Sequence, residues 1–155
     1  MADKLVPLTR EGKAKKETEL EVLFEQRRTI ASRMHDAQEM GTSQNDAEYD
    51  DAKQEQGMVE GRIRELQNML SRAVIIDEAS AHRSEFVVIG SRIEVEQNGR
   101  TLHYQIVGAP EAEPRQGKIS NESPIGAALL GHAPGDTVDV HVPAGALKVK
   151  IVKID

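Results

Sequence analysis

The chain has 155 residues, a formal net charge of −6 and no cysteine. That length suits one ordinary domain or a helical arm with a small second domain, and the missing cysteine excludes disulfides and thiolate metal centres. The acidic balance argues against a protein that coats nucleic acid, and four aromatics, Phe24, Tyr49, Phe86 and Tyr104, leave little for base stacking. The N-terminal Met-Ala-Asp-Lys-Leu-Val-Pro has no apolar stretch of signal-peptide length, and runs such as Val74-Ile75-Ile76 cannot span a bilayer. A cytoplasmic protein without membrane contact is expected.

Thr9 is placed to cap a helix that begins just before Glu11, and Gly12, unfavourable inside a helix, marks close packing near its base. Leu20, Leu23, Arg27, Ile30, Met34 and Ala37 then recur at alternating spacings of three and four. After Gly41 a second run, Tyr49, Ala52, Gln56, Val59, Ile63, Leu66, Leu70 and Ala73, repeats the pattern. The polar stretch Gly41-Thr42-Ser43-Gln44-Asn45-Asp46 reads as the turn between them, because one continuous helix would leave its seam without a partner. The result is an antiparallel coiled-coil hairpin with arms of roughly 29 residues, about 43 Å long. Arg27 interrupts the seam. Either it pairs with Gln56 or a nearby acid and sets the register, or the arms diverge there, the latter being favoured because long side chains snorkel.

Charge along this arm is segregated. From Asp36 to Ala52 there are six acids and no Lys or Arg, whereas Arg10 to Arg33 holds seven bases against five acids. A concentrated negative field at the hairpin end steers encounters and attracts cations.

After about Asp77 the period changes from 3.6 to 2. Asn98-Gly99 joins two alternating strands, Arg92–Gln97 and Arg100–Val107, with Val95 opposite Leu102 and Ile93 opposite Tyr104 on the buried face. Ser123-Pro124 opens a short helix that Gly131 ends, and Val138/Val140/Val142 and Leu147/Val149/Ile151 give two more strands. The expected fold is α+β: a helical hairpin over 1–77, then a small antiparallel sheet with one short helix over 78–155. The five histidines are scattered, and no phosphate loop, nucleophile elbow or dinucleotide fingerprint is present. Only the acidic hairpin end bears chemistry.

The hairpin, the Asn45-Asp46-Ala47-Glu48-Tyr49 that follows its turn, and Ser120-x-x-Ser123-Pro124-Ile125-Gly126-x-Ala128-Leu129-Leu130-Gly131 with Gly135-Asp136 together resemble the GreA/GreB family of bacterial transcript-cleavage factors. The resemblance runs from Leu8-Thr9-x-x-Gly12 to the last strand. It implies an FKBP-like C-terminal domain that docks on the secondary-channel rim of RNA polymerase through Glu122, Ser123 and Pro124. It also implies a monomer whose hairpin enters the channel, with only indirect contact to nucleic acid. Glu122 is the informative docking residue, since a cap and a first-turn proline already explain Ser123 and Pro124.

The tip departs from the family pattern. The cleavage factors carry Gly-Asp-Leu-x-Glu-Asn-Ala-Glu-Tyr, whose Asp and first Glu help hold the second catalytic magnesium. Gapless alignment puts Thr42 and Asn45 at those two positions and Ser43 between them. Neutral oxygens offset none of the charge of Mg²⁺, so cleavage stimulation should be weak. Related non-cleaving Gre-factor homologues look similar over Ala52-Lys53-Gln54-Glu55, Leu70-Ser71-Arg72-Ala73-Val74-Ile75 and Ala128-Leu129-Leu130-Gly131-His132. Their tips are Asp-rich, whereas here Asp46 remains with Glu48, Asp50 and Asp51 behind it. The expectation is a non-enzymatic polymerase regulator without a tightly bound cofactor. Asp46, Glu48 and Asp50 are the candidate ligands for a Mg or Mn shared with the polymerase centre. The alternatives are a cleavage factor using those shifted carboxylates and, by fold analogy, a prolyl isomerase, for which Phe86 and Tyr104 supply little of an aromatic pocket.

Overall fold

The computed structural model describes residues 4–41 and 43–155, of which 43–45 by backbone only. Helix α1 spans Arg10–Met40 and α2 spans Ser43–Ser71. At 1.5 Å per residue they are about 46 and 43 Å long. Thr9 caps α1 as the sequence suggests, its Oγ1 accepting the Gly12 N–H at 3.0 Å. The expected turn over residues 41–46 is shorter than the polar run implies. Gly41, at φ +62°, ends α1, and α2 has already begun at Ser43. Ser, Asn and Asp favour first helical turns as well as loops, so composition does not separate the two.

The helices run antiparallel. Glu19 pairs with Arg62, Arg27 with Glu60 and Arg33 with Glu55, the partner moving back along α2 as the first residue advances along α1. Between these pairs Ile30, Ala52, Val59 and Ile63 are buried, with Leu20, Leu23, Phe24 and Met34 packed around them. Leu66 is fully buried and Gln56 half-buried. Arg27 does not mark divergence. Its guanidinium makes a fork of hydrogen bonds to Glu60 at 2.6 and 3.0 Å and lies 5.2 Å from the centre of the Phe24 ring. Carboxylate and aromatic face together hold the cation at the seam.

Lys13–Arg72 form one compact unit, and the segment up to Gly12 joins Ala73–Asp155 in the other. The division expected from sequence fell between residues 77 and 78. The difference arises from β1, Val6–Leu8, which pairs in parallel with β2, Ala73–Ile75. A parallel pair needs a long crossover, and here the whole helical hairpin supplies it. Two three-residue strands so far apart in sequence leave no alternating signature.

The second unit continues with a short helix α3, Glu78–His82, that sequence patterning did not suggest. Asp77 caps it, accepting from the Ser80 N–H at 3.1 Å and hydroxyl at 2.8 Å, and these bonds hold its carboxyl below the usual range. Five strands follow: β3 Arg92–Gln97, β4 Arg100–Val107, β5 Lys118–Ser120, β6 Thr137–Val142 and β7 Gly145–Ile154. Their order is β5-β4-β3-β7-β6. The β3–β4 register is the expected one, with Val95 opposite Leu102 and Ile93 opposite Tyr104, joined by Asn98 and Gly99 at φ +53° and +74°. The expected all-antiparallel sheet needs one correction, because β4 and β5 run parallel. Helix α4, Pro124–Leu129, begins at the expected Ser123 cap, and Leu129 enters a core with Val95, Ile106, Val140, Val149 and Ile151. The architecture is α+β, as the sequence indicates.

Candidate functional site at the hairpin end and the loop before the last helix

At the hairpin end, α2 itself carries the acids. Asp46 lies in its first turn, and Asp46, Glu48 and Asp50 are all exposed. Helical geometry puts Asp46 and Asp50 on one face, a turn apart, and turns Glu48 about 200° from Asp46. Glu48 instead shares a shallow concavity with Arg33, Asp36, Ala37 and Met40. Met40 is an exposed apolar side chain beside that concavity, a feature that the sequence reading did not single out. Arg33 is already engaged by Glu55 at 2.7 Å. Among the described residues no three His, Asp or Glu side chains converge as a metal site. Thr42 and the side chains of Ser43 and Asn45 lie outside what is described.

The loop between β5 and α4 is built differently. Ser120 C=O accepts both the Ser123 N–H at 3.1 Å and its hydroxyl at 2.7 Å, while Ser120 Oγ accepts the Glu122 N–H at 2.9 Å. Ser123 Oγ in turn accepts the Gly126 N–H at 3.1 Å, and Pro124 occupies the first helical position, where no N–H is needed. Gly126 is required by space: a Cβ there would meet Ser120 O at 1.9 Å. The Ser-x-x-Ser-Pro-x-Gly string is thus a closed hydrogen-bond unit. Glu122 and Pro124 are exposed in this loop, and Glu122 forms an ion pair with Lys4. Both residues are exposed, so the pair contributes at most about 1 kcal/mol.

Two further locks were not both legible. Glu111 accepts the Thr9 N–H at 2.7 Å and its hydroxyl, and a Cβ on Gly12 would lie 2.1 Å from its carboxylate, so the expected close packing at Gly12 is present. Asp136 accepts the Ala133 N–H at 2.9 Å and faces His132 Nδ1 at 3.3 Å, contacts that hold its carboxyl low. The first joins residues 102 apart in sequence, the second residues three and four apart.

The model of the transcription elongation factor N-terminal region matches residues 6–75, and that of the GreA/GreB C-terminal region matches residues 82–155. The chain belongs to the GreA/GreB family of transcription elongation factors. It is 51% identical to transcription elongation factor GreA of Chloroflexus aggregans, over 99% of both chains. With GreA of Listeria welshimeri it shares 44%, over 98% of this chain and 96% of that one. Among solved structures, GreA factor homolog 1 of Thermus thermophilus is 34% identical over 98% of this chain and 99% of that chain, with a TM-score of 0.47. Among the described residues no helix is long and apolar enough to cross a membrane.

Proposed function

We propose that this protein acts in the cytoplasm as a monomer that binds RNA polymerase, docks on the secondary-channel rim through Glu122, Ser123 and Pro124, and inserts the end of its hairpin into the channel. There it modulates elongation or pausing while stimulating little transcript cleavage. The observation that carries this reading is the tip sequence, with Thr42 and Asn45 standing where the family pattern has acids. Support comes from the length of α2, about 43 Å, enough for a narrow passage that a compact domain cannot enter. A Mg²⁺ or Mn²⁺ shared with the polymerase centre would supply Lewis acidity and an activated water. Asp46 is the carboxylate that would attract it, followed by Glu48 and Asp50. The Thr42 hydroxyl and Asn45 amide bring no charge to balance a dication. Docking depends on side chains that can reach a partner; Glu122 and Pro124 are the exposed ones of the three, and Glu122 gives up only an exposed ion pair with Lys4 to do so.

The test is RNA cleavage in a purified backtracked elongation complex, with polymerase binding measured in parallel. The wild-type protein is expected to bind and cleave little, and Thr42→Asp with Asn45→Glu to raise cleavage strongly. Binding without any gain in the double variant counts against the assigned tip roles. A second reading is favoured by the relatives of 49–51% identity that are named GreA: a cleavage factor using Asp46 with Glu48 or Asp50. Robust wild-type cleavage abolished by Asp46→Asn would establish it and refute the weak-cleavage reading.

A further inference from the structure

Two glycines sit inside helix α2, Gly57 and Gly61. In a helix interior each glycine is about fivefold less favourable than alanine, so each needs a reason. Other glycines of this chain have one. Gly12 makes room for Glu111, Gly126 lets the Ser120 carbonyl pass, and Gly41 takes a left-handed φ of +62°. Gly57 and Gly61 have none of these: a Cβ on either would meet nothing within 4 Å, and neither has a positive φ. Four residues apart, they share the side of α2 turned away from the buried Ala52, Val59, Ile63 and Leu66. Met58, between them, is exposed. The same stretch is where α1 grips α2. Glu55 meets Arg33, Glu60 meets Arg27 and Arg62 meets Glu19, so the α2 ends of these pairs bracket both glycines. Helical phase puts Glu60 on one flank of the seam and Glu55 and Arg62 on the other.

We infer that residues 57–61 form a yielding point in the hairpin: this turn of α2 opens by itself, ahead of the rest, and the three cross-helix ion pairs hold it shut. The proposal concerns the hairpin itself and does not depend on docking or on the tip. Glycine gives the open turn a backbone freedom that alanine would not, which makes opening easier. With no side chain over it, the backbone there is also bare to water, which competes for the helical hydrogen bonds. Each ion pair is partly exposed and individually weak, so together they hold the turn without locking it. Gly57 and Gly61 lie near the middle of an α2 about 43 Å long, and glycine is among the few residues at which long helices bend sharply. A hairpin that opens there changes direction at its centre while both ends stay helical.

The test is amide hydrogen exchange of the full ¹⁵N-labelled chain over a range of low urea concentrations. In the wild type the amides from Val59 to Ile63 are expected to exchange about tenfold or more faster than those of Ile30 and Leu66. Their rates should barely respond to urea, because a local opening exposes little surface, whereas Ile30 and Leu66 should respond steeply. Gly57→Ala/Gly61→Ala should slow Val59 to Ile63 by about tenfold or more. Arg27→Gln/Arg33→Gln should speed the same amides by about twofold or more. A wild type in which Val59 to Ile63 match Ile30 and Leu66 in rate and urea dependence would overturn the proposal. So would an alanine variant that leaves those amides unchanged, since the glycines would then not be the cause. Unchanged exchange in the arginine variant would overturn the role given to the ion pairs.

Discussion

The hairpin end and the loop before α4 both carry the family's sequence motifs, yet they use them in opposite ways. In the loop nearly every motif residue has a mechanical role. Ser120 gathers two donors, Ser123 caps, Pro124 starts the helix and Gly126 lets the backbone pass. At the hairpin end Asp46, Glu48 and Asp50 are all exposed on α2, the first of them in a first turn that favours an acid. Motif residues with a structural role say little about the partner, whereas those without one report on function. By that criterion Glu48 and Asp50 are the informative positions, with Glu122, whose ion pair to Lys4 is exposed and weak, next to them.

The contrast can be broken by measurement. Leu66→Ala, at a fully buried position of α2, sets the scale for the hairpin and should cost about 2–5 kcal/mol in urea unfolding. In the loop, Gly126→Ala should destabilise by about 1–3 kcal/mol, since the new methyl must displace backbone rather than a flexible side chain. Ser123→Ala should cost about 1 kcal/mol for the lost cap. A Gly126→Ala protein as stable as wild type would show that the loop is not the closed unit described above.

Acid titration gives a smaller effect. The Arg62 guanidinium, hydrogen-bonded to Glu19 at 2.7 and 3.1 Å, holds the Glu19 carboxyl below its usual value. A depressed carboxylate contributes stability above its unfolded pKa and loses it as pH falls through the lower folded value. The hairpin should therefore weaken as pH drops below about 4.5. The amplitude should stay under about 1 kcal/mol, because both groups are about a third exposed. Glu19→Gln should remove that component. Smallest of all, Glu122→Lys and Asp46→Asn should shift the melting midpoint by no more than a degree or two. Glu122→Lys should nonetheless weaken polymerase binding in a direct assay, and Asp46→Asn should leave binding unchanged while reducing any metal-dependent effect on elongation. Unchanged affinity in Glu122→Lys would remove that residue from the docking surface.

The legible parts of the fold are those encoded locally. Asn98-Gly99 fixed the β3–β4 register because a two-residue turn leaves one pairing that buries Ile93 and Val95 together. The Thr9 and Ser123 caps were readable for the same reason. What escaped depends on partners distant in sequence: the β1–β2 pair, the parallel attachment of β5, and the acid that meets Arg27 from the other helix. The start of α2 escaped differently, since Ser43 to Asp46 suit a loop and a first turn equally. At the tip, sequence named the exchanged residues, but the phase of α2 separates Glu48 from Asp46 and Asp50, which spacing in a presumed loop could not convey.

The β1–β2 pairing has a kinetic consequence. Val6 and Ala73 are neighbours across a parallel ladder, so β1 leaves the ribosome long before its partner exists. Closing so large a loop from a random chain is entropically costly, and contacts of high sequence separation form slowly. The two helices need only near neighbours and one tight turn, and once formed they bring the ends of the segment together. Folding should therefore run from the Gly41 turn downward, with β1 waiting for β2. Pulse-labelled hydrogen exchange would then protect amides along α1 and α2 before those of Val6 and Leu8, and the reverse order would exclude this route.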